Sequence, residues 1–129
     1  MRREVLERTG PFDASYFYSF EDVDFCLRAQ AAGFSTLSVP AARAYHEGGQ
    51  SIGRRSARRI YFATRNHLKL AARLEARPIR RTLTAGAIVA LNAAYVVTSA
   101  DAPLLSGLAA VVRGTWHHLL GRYGSDAAA

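Results

Sequence analysis

Cysteine is almost missing: Cys26 is the only one in 129 residues. No intrachain disulfide can form, so a disulfide-stapled secreted scaffold is excluded and a reducing compartment fits. The opening MRREVLERTG lacks the apolar core and the small-residue cleavage site of a secretory signal. It runs straight into a charged helical turn, an unusual way to begin a domain, which leads to the expectation that upstream residues have been lost. There is no glycine-rich phosphate loop, no Cys/His zinc array and no nucleophile elbow, which removes the commonest routes to nucleotide cradling, zinc structure and serine hydrolysis. Internal repeats are also absent, and the alanine tail is the only low-complexity tract.

Half of the residues are apolar, enough for one ordinary domain with a core. The net charge of +7 is unevenly spread. Residues 1–53 carry five basic and seven acidic side chains, residues 54–81 carry ten basic and only Glu75, and residues 82–129 carry two of each sign. A field concentrated in one segment attracts phosphates, whether of nucleic acid, anionic lipid or a nucleotide, and composition does not choose among them.

The pattern predicts a short helix over residues 2–8 with Val5 and Leu6 inward, stopped by Gly10 and Pro11. An aromatic loop, GPFDASYFY, follows. Ser19 with Asp22 three residues on resembles a capping box, and Val23, Leu27 and Ala31 continue at helical spacing until Gly33. FSTLSVP alternates as a strand does, and ARAYHEGG reads as a second short strand entering a turn at Gly48 and Gly49. From about Arg54 to Arg77 the pattern is helical, with Ala57, Ile60, Tyr61, Leu68 and Ala72 on one side and Arg65, Lys69, Arg73 and Arg77 forming a basic ridge. The run from Thr82 to Ala100 has no charge and is about long enough to cross a bilayer, although Asn92 and Gly86 make it only mildly apolar. A last helix covers about Leu104 to Leu120.

YSFEDVDFCLRAQAAGF gathers Glu21, Asp22 and Asp24 at the mouth of a helix. A carboxylate there faces the positive end of the helix dipole and stays ionised, as a general base must. Acidic first turns are also common as simple helix caps. Asp24 and Arg28 stand four apart and read as a solvated pair, and Cys26 as a small core residue. In YHEGGQS, His46 before two glycines could present an imidazole to a divalent metal, or could lie in an ordinary turn. His67, His117 and His118 do not have the spacing of a metal site on one helix face and read as structural or interfacial.

Taken in order, the helix leading to G-x-F-D, the aromatic stretch, E-D-x-D-x-C-x-R, the strand ending in Pro, His-x-x-G and Tyr-x-x-x-Arg-Asn resemble the C-terminal half of family-2 glycosyltransferases, especially the rhamnosyltransferase-like branch. The resemblance implies an α/β fold: a C-terminal remnant of a Rossmann-like GT-A domain, with about two short strands over residues 1–53, and an all-helical tail over 54–129. It implies that Asp22 is the base that deprotonates an acceptor hydroxyl and that Glu21 shapes the acceptor site. It further implies that His46 joins the shell of a Mg or Mn ion, and that Arg65 and Asn66 support the substrate side by packing or acceptor contact. The partners implied are a nucleotide-sugar donor and a carbohydrate or lipid-linked acceptor, in surface polysaccharide synthesis.

No D-x-D motif lies upstream of Glu21, so the donor-binding half that the resemblance calls for is expected to be missing, and the chain alone is expected to show no transfer. Basic and apolar helices together suit the cytoplasmic face of an anionic bacterial inner membrane, with the chain attached peripherally. A competing reading is a non-catalytic module that binds a membrane surface or a partner. Nucleic acid is not expected as a partner, since Tyr61 and Phe62 fit the apolar side of their helix better than a stacking platform. Exposed strand edges would favour self-association.

Overall fold

In the computed structural model the described residues are 1–45, 52–53, 56–99 and 103–125. They form five helices: α1 (Arg3–Thr9), α2 (Glu21–Ala31), α3 (Ala57–Leu74), α4 (Pro78–Thr98) and α5 (Leu104–Leu119). Ser56 caps α3 by accepting a bond from the Arg59 N–H at 3.2 Å. Pro78 opens α4, where its missing N–H costs nothing. The turn between them ends α3 at Leu74, before the Arg77 that the sequence pattern includes.

α3, α4 and α5 pack into a three-helix unit. Leu68, Ala71 and Ala72 of α3 face Arg81, Thr82 and Ala85 of α4, while Val96 joins Ile60, Tyr61 and Phe62, so α4 runs back along α3. Small residues on one stripe of α5 allow close approach: Gly107, Ala110, Val111 and Gly114 are all buried. A Cβ on Gly114 would stand 2.8 Å from the Tyr61 carbonyl oxygen, and one on Gly107 would stand 2.7 Å from Val96 Cγ1. The close packing of α5 on both α3 and α4 therefore depends on the missing side chains.

α1 and α2 make a smaller unit, tied by Arg28. Its guanidinium donates to the carbonyls of Thr9 and, at 2.8 Å, Pro11, while Phe12 stacks on Phe25 with centroids 4.6 Å apart. α1 contributes little to burial, and Leu6 is exposed where the periodicity put it inward.

The α/β expectation is overturned. Among the described residues there is no strand and all regular structure is helical, so no Rossmann-like GT-A remnant with short strands is present there. Residues 34–45 follow α2 without regular structure. Their N–H groups bond locally, Phe34 to Ala29 at 3.0 Å and Ala42 to Val39 at 2.9 Å. Leu37 is 81%, Val39 62% and Tyr45 100% exposed. Alternation makes a strand only when a neighbour supplies the ladder, and none of the described residues does. The second strand was expected over ARAYHEGG; its residues 42–45 are not strand, and 46–49 lie outside the described residues.

Candidate active site

The site is built from the inner face of α3. Arg65, Asn66, Lys69 and Arg73 project toward the aromatic loop and α2, so the row of cations read as a basic ridge is turned largely inward. Arg65 and Asn66 are fully buried. The Arg65 guanidinium donates to the carbonyls of Tyr16 at 3.2 Å and Gly124 at 2.9 Å, and its Nε donates to Asn66 Oδ1 at 3.0 Å. Asn66 Nδ2 in turn reaches the carbonyls of Tyr16 at 2.8 Å, Tyr18 at 2.5 Å and Ser19 at 3.1 Å. A polar pair buried in a helix thus supplies the donors that a non-repetitive loop cannot find within itself.

Lys69 continues the row. Its Nζ bonds Asp13 Oδ2 at 2.9 Å and the Ser15 hydroxyl, and sits 4.0 Å from the centroid of the buried Tyr16 ring. Burial raises the Asp13 carboxyl, but the bonds from Lys69 and Ser15 outweigh it and bring the pKa down to about 2. Burial and the nearby Asp24 charge push Tyr16 up to about 12.

Asp24 corrects another expectation. It is 1% exposed, not solvated, and its carboxylate accepts from Arg28 Nε at 2.8 Å and Arg73 Nη1 at 2.6 Å. The i,i+4 spacing identified the Arg28 partner; Arg73 lies 49 positions away and could not be read from spacing. The pair joins α2 to α3. The face of α2 turns accordingly, burying Asp24, Phe25 and Ala29 and leaving Val23 and Ala31 exposed.

The mouth of α2 is strained. Ser19 does not cap it; Phe20 is the N-cap, in the left-handed region at φ 71°, and no side chain caps the helix. Phe17 at 60° and Ser19 at 64° share that region, which costs an ordinary residue about 1–2 kcal/mol. The strain is balanced by the Asn66 and Arg65 bonds and by the Phe20 ring stacking on His67, 4.9 Å between centroids. Burial lowers the pKa of His67, which favours the neutral ring in that stack.

Held this way, Asp22 is exposed, with Oδ1 accepting only the adjacent Val23 N–H at 2.8 Å. It opens onto a cleft of about 330 Å³ lined also by Val23, Cys26, Leu27, Gln30 and Thr36. Cys26 is exposed there, not in the core. Glu21 lies beside Asp22 in sequence but does not line the cleft, and its Oε2 is buried without a hydrogen-bond partner. Arg65 and Asn66 do not line it either; they stand behind it, bonded to the loop. His46 lies outside the described residues. Among the described residues no three His, Cys, Asp or Glu side chains converge as a metal shell would require. Asp13 and Tyr16 escaped the sequence reading, and Lys69 and Arg73 were read only as part of a ridge, because their partners are remote in sequence.

No protein-family model matches the chain, and no solved structure matches it. Over 54 residues, 42% of the chain, it is 39% identical to N-acetylglucosaminyl-diphospho-decaprenol L-rhamnosyltransferase from two strains of Mycobacterium tuberculosis, CDC 1551 / Oshkosh and ATCC 25618 / H37Rv. It is also 33% identical over 54 residues to the uncharacterized protein y4gI of Sinorhizobium fredii, strain NBRC 101917 / NGR234. The match spans 18% of the length of the rhamnosyltransferases and 6% of that of the Sinorhizobium protein. This partial similarity supports glycosyl transfer at a coarse level only.

Proposed function

We propose that the chain forms the acceptor side of an inverting glycosyltransferase, with Asp22 as general base. The observation that carries the reading is an exposed carboxylate at the rim of a cleft, on a helix mouth kept in a strained conformation by buried donors behind it. Strain of this kind persists only where the surrounding structure over-determines it, and it gathers at working sites.

In this reading the acceptor hydroxyl enters the cleft and donates its proton to Asp22 as its oxygen attacks the anomeric carbon of a nucleotide-sugar. The new C–O bond forms on the face opposite the departing nucleoside diphosphate, which leaves with the electron pair of the old bond. Inversion follows. Asp22 needs room and access for this, which its exposure supplies, whereas Asp24 is committed to two arginines and cannot serve. Glu21 shapes the acceptor side from its half-buried position, and Arg65 and Asn66 act as positioning residues through residues 15–19. If a Mg or Mn ion accompanies the donor, it would neutralise the diphosphate, and the family resemblance makes His46 the residue of this chain to test as its ligand. The name of the mycobacterial relatives makes a sugar linked to a lipid diphosphate the acceptor class to try first.

Cys26 provides the test, since it is the sole thiol and lines the same cleft as Asp22. A short-chain N-acetylglucosaminyl-diphospho-prenol should slow alkylation of Cys26 in the wild type. Loss of a charge-assisted hydrogen bond in Asp22→Ala should weaken that protection by about tenfold or more. Equal alkylation rates with and without the acceptor, up to millimolar concentration, would overturn the reading.

A further inference from the structure

α4 is the one helix among the described residues long and apolar enough to cross a membrane, yet it does not stand apart from the rest of the fold. Ile88 and Val96 are buried, and Val96 belongs to the core shared with α3 and α5. Its other face is apolar as well and is uncovered by the described residues: Leu83 and Leu91 are exposed there. On α5, Leu105, Val112, Trp116 and Leu119 are exposed at spacings of seven, four and three, which places them on a single strip.

The charges fall into a pattern. α4 and α5 contain no Asp or Glu. The two helices run antiparallel, with the end of α4 near Val96 against Gly107 and its beginning near Arg81 beside His118. Exposed Arg77, Arg80, Arg81 and Arg122 therefore gather at one end of the pair, where the nearby positive charge of Arg81, after burial, keeps His118 below the ordinary histidine pKa. An apolar strip with an exposed aromatic at its border and four arginines that outnumber the nearby Glu75, whose carboxylate accepts the Arg77 N–H, has the complement of an anionic lipid surface.

We infer that the outward face of the α4–α5 pair lies on an anionic bilayer, parallel to its plane and without spanning it. Spanning would pull Ile88 and Val96 from their contacts with α3 and α5, whereas lying on the surface covers the exposed strip and leaves those contacts intact. Apolar side chains enter the acyl boundary and the arginines at the basic end meet the lipid phosphates.

Trp116 is the only tryptophan and is 57% exposed on this strip, so the unmodified chain carries its own reporter. Its emission should shift to the blue, and be quenched by spin-labelled lipid, on vesicles containing phosphatidylglycerol. On vesicles of phosphatidylcholine alone the shift should be far smaller. Arg77→Gln and Arg80→Gln should each lower partition about fivefold, and raised salt should lower it further. Leu105→Glu should abolish binding while helix content stays unchanged. Absence of a shift on any vesicle overturns the inference, as does equal partition into neutral vesicles. A doubled mass in solution without vesicle binding also overturns it, and makes the face a contact between two copies. Asp22→Asn should bind vesicles as the wild type does, so this inference and the glycosyl-transfer reading fail separately.

Discussion

Asn66→Ala tests whether the buried row on α3 holds the helix mouth in place. The substitution removes the donor shared by the carbonyls of Tyr16, Tyr18 and Ser19. Tyr16 keeps its bond from Arg65, so two carbonyls lose their partner. Leaving a buried acceptor unpaired costs about 1–3 kcal/mol each, which gives roughly 2–6 kcal/mol if the loop stays in place. The loop has an alternative. Phe17, Ser19 and Phe20 all sit at positive φ, and letting them relax returns about 1–2 kcal/mol apiece. The two quantities are similar, so the loop should open and take its carbonyls to water. Opening also gives up the Arg65 bond to the Tyr16 carbonyl, about 1.5–3 kcal/mol for a charged donor, and the Phe20–His67 stack, about 0.5–1.5 kcal/mol, so we expect a loss of about 2–4 kcal/mol in urea unfolding, within the range of stability of a domain this size. New cleavage by chymotrypsin should appear between Tyr16 and Phe20, because an opened aromatic loop is a good substrate. Ser19→Gly should move the other way, stabilising by under about 1 kcal/mol through relief of the left-handed conformation. The account is refuted if Asn66→Ala costs less than about 1 kcal/mol and the loop remains resistant to protease.

Gly114→Ala should cost about 1–3 kcal/mol in the same assay, because its Cβ would meet the backbone oxygen of Tyr61, which cannot rotate away. Gly107→Ala clashes with the Val96 side chain, so Val96→Ala should recover part of its loss. Stability should decline in two stages as pH falls. His67 and His118 have lowered pKa values and resist protonation when folded, so their contribution is lost as pH drops below about 6.5. Asp13 is lowered from 3.8 to about 2, so its contribution is complete above pH 3.8 and disappears toward pH 2. Solvent screening limits that contribution to about 1–2 kcal/mol, and Lys69→Met should flatten the second stage of the urea titration. Turnover of nucleotide-sugars by residues 1–129 should not exceed that of Asp22→Asn, and any excess would show that the donor site is more complete than the sequence indicates.

Helices were legible wherever the apolar period was long and its ends were marked. The Thr82–Ala100 run and the Leu104–Leu120 segment became α4 and α5 with shifts of a few residues, since Pro78 and Pro103 punctuate the chain strongly. The strand expectation failed for a physical reason: alternation in FSTLSVP specifies which side chains share a face but says nothing of a neighbour to bond, and pairing is a property of two segments. Ser19 failed as a cap because tertiary donors on Asn66 claimed its backbone and fixed it at positive φ before its hydroxyl could serve α2. The inward turn of the basic ridge was hidden by composition. Arginines four apart look solvated until a loop rich in carbonyls and two carboxylates, Asp13 and Asp24, comes to meet them.

The three acids at the mouth of α2 have three different fates, and charge explains the division. Asp24 faces α3 and is held by both Arg28 and Arg73, so loss of both partners would leave an uncompensated buried charge and cost about 3–5 kcal/mol, whereas loss of one leaves it paired. It serves as the anchor between α2 and α3. Glu21 is half-buried, with one oxygen lacking a partner, a state that costs stability and is therefore hard to attribute to packing alone. Asp22 alone faces outward into a cleft. Helix periodicity makes the division unavoidable: residues 22 and 24 are about 200° apart, so fixing Asp24 inward fixes Asp22 outward. Arg73→Gln should therefore affect the cleft from a distance, changing the Cys26 alkylation rate without touching any residue that lines it. An unchanged rate would mean that the anchor and the cleft are mechanically independent.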